Sequence, residues 1–232
     1  MTGAQEPFAQ AAPPGVAGTP LAVRAQLLAT EHWSLLATRS MVTSEMLTRM
    51  ATLLALVSSS IVGLALIGQV TRFDWRFVTF ALILDGMLFV VGTLTQMRVG
   101  NASMEDLAHV IGMNRLRAAY VEIDPAIERY LVTSPHDDSA GIWQTYNHLV
   151  GPNLRSNVLA SSGMFVTFVN SGLLGAFLAL VAIAFGAPTA VVAAAAAFGA
   201  VSFAVLSWGL YRRNDIKTIM ARPVLFPSPK EP

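Results

Sequence analysis

The chain has 232 residues, of which only 12% are charged and 54% are hydrophobic, and it contains no cysteine. A soluble domain carries roughly twice that charged fraction to cover its surface, so composition points to an integral membrane protein. The net charge of +1 gives no nucleic-acid signature, and no nucleic-acid partner is expected. The absence of cysteine removes disulfides, thiolate catalysis and Cys-ligated zinc or iron–sulfur sites together.

In chain order, residues 1–20 carry no Lys or Arg and no apolar core. They do not make a cleavable signal peptide, and their Pro, Gly and Ala content reads as a disordered tail. Residues 21–48 predict an amphipathic helix, with Leu28, Leu35, Leu36 and Met46 near helical spacing and Arg24, Glu31 and Glu45 between them. That helix is expected to dock on the protein's own polar domain or to pair with another copy.

Four uncharged or nearly uncharged runs each approach the roughly 20 residues that cross a bilayer. The first span is 49–71 and the second 77–97, broken only by Asp85. From Ser156 to Tyr211 no charged residue occurs. That run is too long for one helix, and "GAPT" at Gly186–Thr189 supplies a turn, since Pro188 lacks an N–H and biases Ala187 away from helix. Spans three and four follow as 160–185 and 189–211.

Orientation follows from Lys and Arg. The N-terminal region has three, the central loop five and the tail five, while the other side has only Arg72 and Arg76, of 15 in all. The expected topology places both termini, the loop 98–159 and the basic tail 212–232 in the cytoplasm.

Within the loop, Ser103 and Asp106 resemble a capping box that would open a helix through Leu116. "DPAIERYL" offers Asp124 as N-cap and Pro125 at the first helical position. A third short helix is expected from Ser139 to about Leu149, ending near Gly151–Pro152. The tail is read as loosely ordered beside anionic headgroups. The fold class is all-α: four transmembrane helices with a helical cytoplasmic domain.

Several side chains carry potential chemistry. Asp85 lies nine residues from Arg76 and thirteen from Arg98, near mid-membrane, where a charged Asp costs about 2.5–3.5 kcal/mol. Val78, Ala81, Asp85, Phe89, Gly92 and Gln96 share one helical face, and Phe80, Ile83, Met87, Val90 and Leu94 the opposite one. Partners for Asp85 are expected among Ser58, Ser59, Ser60 and Asn170, either as helix glue or as part of an ion or proton path. Small residues at Ser59/Gly63, Ser171/Gly175 and in "AVVAAAAAFGA" allow close helix approach within the bundle or between copies.

Outside the spans, Arg115 and Arg117 beside Tyr120 read as a lipid-facing or anion-binding pair. His136, Asp137 and Asp138 form a turn in which Asp138 or Ser139 caps the next helix and Asp137 is solvated. A catalytic or metal role there lacks a spaced partner. Asp106 and His109, at i, i+3, read as a surface pair. GxxxxGK, GxGxxG and GxSxG are all missing, so neither enzyme, cofactor nor metal is expected.

The phrases "LLATEHWSLLATRSM" and "GMNRLRAAYVEIDPAIERYLVTSPHDD" resemble a group of uncharacterised four-span membrane proteins of actinobacterial-type genomes, over about residues 25–215. A cytoplasmic helix leading into paired spans is also similar in architecture to the SLATT and related four-span effectors, proposed pore-formers of bacterial defence. These resemblances imply a multi-pass protein of a bacterial inner (cell) membrane. The reading is a non-enzymatic, homo-oligomeric channel or effector pore in a lipid bilayer, with Asp85, Asn170 and Ser59 as its intramembrane polar residues. The first alternative is a scaffold or sensor that binds a protein partner through the cytoplasmic domain. The second is a membrane enzyme using His136, Asp137 and Asp138.

Overall fold

A computed structural model describes residues 19–147, 161–220 and 222–229. The expectations for residues 1–18, for Leu149 and for Gly151–Pro152 lie outside the described residues. The elements are α1 (Leu21–Thr71), α2 (Trp75–Ile123), a 3₁₀ turn (Pro125–Tyr130), α3 (Ser139–Tyr146), α4 (Ser162–Ala184) and α5 (Thr189–Met220). No strand occurs among the described residues. Four of the helices are long and apolar enough to cross a membrane, which makes this a membrane protein.

At about 1.5 Å per residue, the 51-residue α1 and 49-residue α2 are each roughly 75 Å long. A hydrocarbon core of about 30 Å accommodates less than half of that. Both helices therefore continue well beyond their apolar spans as one antiparallel hairpin, the polar extension. Helix α2 shows no break at residue 98 and no new start at Ser103, whose Oγ donates to the Val99 carbonyl inside an unbroken helix. The expected capping box is thus a mid-helix feature: the stretch holds no proline, and good helix formers carry the ladder through.

The hairpin is zipped by a regular stripe. On α1, Leu28, His32, Leu35, Arg39, Val42, Met46, Met50 and Leu53 turn inward at steps of three or four, the spacing of a coiled-coil seam. Leu36, expected on this stripe, is exposed. Charged residues straddle the seam: Arg24 pairs with Glu122, Arg39 with Asp106, and Arg98 with both Glu45 and Glu105. The hydrogen bonds from Arg98 and Arg49 hold the Glu45 carboxyl down at about 2. Two apolar cores lie along the hairpin. One joins Leu107, Val110, Ile111 and Met113 of α2 to Ile142 of α3. The other joins Leu53, Val99 and Val166 of α4 at the level where the spans begin.

After α2, Asp124 caps the next element as expected, its side chain accepting from Ala126 N. That element is one short 3₁₀ turn rather than an α-helix. Asp138 caps α3 by accepting from Gly141 N. The turn at 185–188 also follows expectation, with Gly186 taking the left-handed φ of 71° that other residues resist.

Helices α4 and α5 approach closely through small residues. A Cβ on Gly175 would lie 2.8 Å from the Ala196 carbonyl oxygen, and one on Gly199 2.8 Å from that of Leu174. These small residues serve packing within the chain, as backbone contact in a membrane requires. Gly63 of α1 has nothing beside it, and Ile61, Val62, Leu66 and Val70 around it are exposed. Helix α5 runs on past residue 211 to Met220, and residues 222–228 then fold back against the polar extension. The tail is therefore not loose over this stretch.

Candidate functional site

Helix α2 carries two polar clusters, one inside the spans and one in the extension. In the first, α2 buries Ala81, Asp85, Leu88, Gly92, Thr95 and Val99, and exposes Phe80, Ile83, Met87, Val90 and Leu94. The two-sided wheel expected from the sequence is the one observed. Facing this stripe, α4 buries Val166, Thr167, Asn170, Ser171 and Leu173.

Gln96 bridges the two helices. Its Nε2 donates to Thr167 Oγ1 at 3.1 Å, and its Oε1 accepts from Asn170 Nδ2 at 2.8 Å. Gly92 makes room for this bridge: a Cβ there would collide with Asn170 Oδ1. Asn170 is completely buried and Asp85 is 6% exposed. Seven residues separate Asp85 from Gly92, about 10 Å along the helix, so the polar groups form a column along the α2–α4 seam.

That column is incompletely paired. Asp85 Oδ2, Asn170 Oδ1 and Ser171 Oγ are buried and have no hydrogen-bond partner. In a bilayer such groups find no water unless a cavity or path supplies it, and each unmet group is expensive. The chemistry open to the column is transient: a proton on Asp85, or water or a small cation against the amide and hydroxyl oxygens.

Ser59 does not belong to this site. It is exposed, and its Oγ donates to the Ala55 and Leu56 carbonyls of its own helix, the back-bonding open to a serine within a helix. The seryl partner expected for Asp85 is not realised at this position. Thr167 and Gln96 are the residues that sequence reasoning undervalued. Thr167 stands three positions before Asn170, on the same face of α4, and that spacing was the available signal.

The second cluster lies at the junction of α2, α3 and the C-terminal segment. Asn114 is fully buried. Its Nδ2 donates to the His136 carbonyl at 2.7 Å, and its Oδ1 accepts from Arg117 and Thr145. Arg115 Nε donates to Asp137 Oδ2 at 2.7 Å, and its Nη2 to the Pro223 carbonyl at 2.8 Å. The Asp137 side chain has no exposed surface, which corrects its expected solvation. Its oxygens accept from the backbone amides of Leu225 and Phe226, and its own amide donates to the Phe226 carbonyl. Asp138, besides capping α3, accepts from both the amide and the hydroxyl of Ser228.

Burial by itself would raise both carboxyls. The backbone amides of the strap, with the Arg115 guanidinium for Asp137 and the Gly141 amide for Asp138, hold them below the usual carboxylate range. Arg115, Asp137 and Asp138 thus come together, but around the chain's own strap. The Asp138 side chain meets the strap and α3, while His136 is held through its backbone by Asn114 and Ser134. Arg117 joins the cluster only through Asn114 Oδ1 and does not reach the carboxylates; it is half-buried toward α1, and burial and the nearby Arg39 lower its affinity for a proton. Asp106 takes Arg39 and the Tyr146 hydroxyl, while His109 Nδ1 is buried without a partner, so the expected Asp106–His109 pair does not form. Among the described residues no group of His, Asp and Glu is placed to hold a metal ion.

Compared with known proteins, this chain matches no family model, no curated protein and no solved structure.

Proposed function

We propose that the protein is a non-enzymatic membrane protein of the bacterial inner membrane that passes protons or small cations along the α2–α4 seam, with its termini and polar extension in the cytoplasm. The observation that carries this reading is the set of three buried, unpartnered polar atoms on Asp85, Asn170 and Ser171. A seam kept only for adhesion favours closed hydrogen bonds, as Gln96 makes with Thr167 and Asn170. Open acceptors on the same buried seam as a carboxyl favour exchange with a mobile proton, water or ion. The burial of Asp85 within one chain favours a path inside each protomer over a ring of carboxylates around a shared axis. Homo-oligomerisation then serves assembly of several such paths, with the exposed face of α1 around Gly63 as its seam.

The test is proton and cation flux through proteoliposomes, comparing wild type with Asp85→Asn at matched folding and oligomeric state. Flux that falls in the well-folded variant supports the path. Equal flux, or none in either protein under every trigger tried, removes it.

A second reading, a scaffold or sensor, draws on the outer face of the α1 extension. Leu27, Trp33 and Met41 are 63%, 71% and 72% exposed there, an unusual display for a helix beyond the apolar span. The enzyme reading has the weakest support, because Asp137 and Asp138 are already engaged by Arg115, α3 and the strap.

A further inference from the structure

We propose that residues 222–228 are a releasable latch, an extended segment read by its backbone amides, which fixes the end of α5 to the α2–α3 junction and thereby regulates the polar seam; the regulatory part rests on the conduction reading above.

The strap is held by a dense set of polar contacts. Pro223 O meets Arg115, the amides of Leu225 and Phe226 meet Asp137, and the amide and hydroxyl of Ser228 meet Asp138. Of its apolar side chains Val224 and Leu225 remain 50% and 58% exposed, and only Phe226 is half-buried. Contacts of this kind exchange readily with water when the partner is not otherwise buried, so the strap can leave at modest cost.

The seat survives that departure. Arg115 still pairs with Asp137, Asp138 still caps α3 through Gly141 N, and Asn114 still holds the turn through the His136 carbonyl. None of these bonds involves the strap. A preformed seat with a detachable occupant has two defined states, which is what a switch requires.

Both ends of the latch lead into the membrane. The strap begins just after Met220, where α5 ends, and α5 packs on α2 through Phe203 against Phe89, with centroids 5.5 Å apart. The seat's Arg115 stands on α2, which runs unbroken back to Gln96, Gly92 and Asp85. A seated strap therefore ties the last span to the helix that carries the seam, and a released strap frees the cytoplasmic end of α5 to move relative to it.

The test uses the full chain in lipid bilayers and exploits its lack of cysteine. A single spin label at Val224→Cys reports strap seating. A label pair at Leu210→Cys and Val132→Cys, both exposed, reports the distance from the C-terminal half of α5 to the junction. Ser228→Asp sets a second carboxylate against Asp138 and leaves Arg115 and Asp137 in place, and Asp137→Asn weakens the central contact. We expect the Val224 label to become mobile in Ser228→Asp, the Leu210–Val132 distance distribution to shift or broaden, and flux to change several-fold. A label that stays immobile in both variants makes the strap a fixed part of the fold and overturns the latch. A mobile label with an unchanged distance overturns it equally. A changed distance with flux that is indifferent to both the strap and Asp85→Asn upholds the latch as a conformational element and discards the conduction reading instead.

Discussion

The two polar clusters of α2 stand thirty residues apart, from Asp85 to Arg115, or about 45 Å along one helix, and they are finished in opposite ways. At the junction in the extension, Asp137 has no exposed surface, and both of its oxygens are met by Arg115 and by strap amides. In the seam between the spans, Asp85 is as well hidden, yet Oδ2 has no partner, and neither do Asn170 Oδ1 and Ser171 Oγ. Water is close at hand at the junction and scarce in the seam, so solvation alone would favour the reverse arrangement. The junction's carboxylates are fully paired, whereas the seam's polar atoms are left open.

The largest break in this comparison is expected from Asp137→Ala. It strands Arg115 and removes the acceptor for two amides, which should cost about 3 kcal/mol, read as a lowered unfolding midpoint in detergent. Gly92→Val comes next. The added side chain collides with Asn170, and overpacking of this kind costs roughly 1–3 kcal/mol, with the Gln96 bridge lost as well. Stability and flux should fall together, and a variant that keeps both would mean the seam is looser than described.

Asp85→Asn should separate the two clusters most cleanly. A single intramembrane hydrogen-bonding group contributes about 1 kcal/mol or less, so the midpoint should barely move while flux falls. The converse, a large loss of stability with unchanged flux, would turn the seam into adhesive.

Acid should loosen the junction. Asp137 and Asp138 titrate below the usual range when folded. Their contribution is therefore complete above the ordinary carboxylate pKa and is lost as pH falls through the lowered folded values. Arg115 from α2 and His136 from the turn face these groups, along with the strap's own Ser228. The Val224 label should thus stay immobile at neutral pH and loosen only once the pH falls below the ordinary carboxylate range. Loosening near neutrality would contradict the assignment. The smallest effect belongs to Glu45→Gln, on an exposed face where ion pairs are weak and salt-screened. No measurable shift of the unfolding midpoint at physiological salt is expected.

Much of this was legible in the amino-acid order. Uncharged runs marked the spans, because a bilayer selects on length and charge alone. Pro188 and Gly186 marked the hairpin between α4 and α5. Alternating small, polar and apolar residues along α2 already separated the Asp85 face from the lipid-facing one, since both faces repeat with the helix period. Asp124 and Asp138 showed as caps because a capping carboxylate needs only its local backbone.

The tertiary structure decided the rest, and each case involves residues far apart in the chain. The unbroken run of α2 through Ser103 depends on α1 lying beside it, which turns a plausible capping box into one more turn of a long hairpin. The exposure of Ser59 and the choice of Gln96, Thr167 and Asn170 as a set depend on which helix faces which. Asp137 reads as a solvated turn residue until the strap, some ninety positions later, covers it. Local sequence fixes periodicity, charge and caps because their partners lie within a few residues. Which buried polar groups are paired and which are left open is a property of packing between distant segments, and in this protein that is where the functional argument lies.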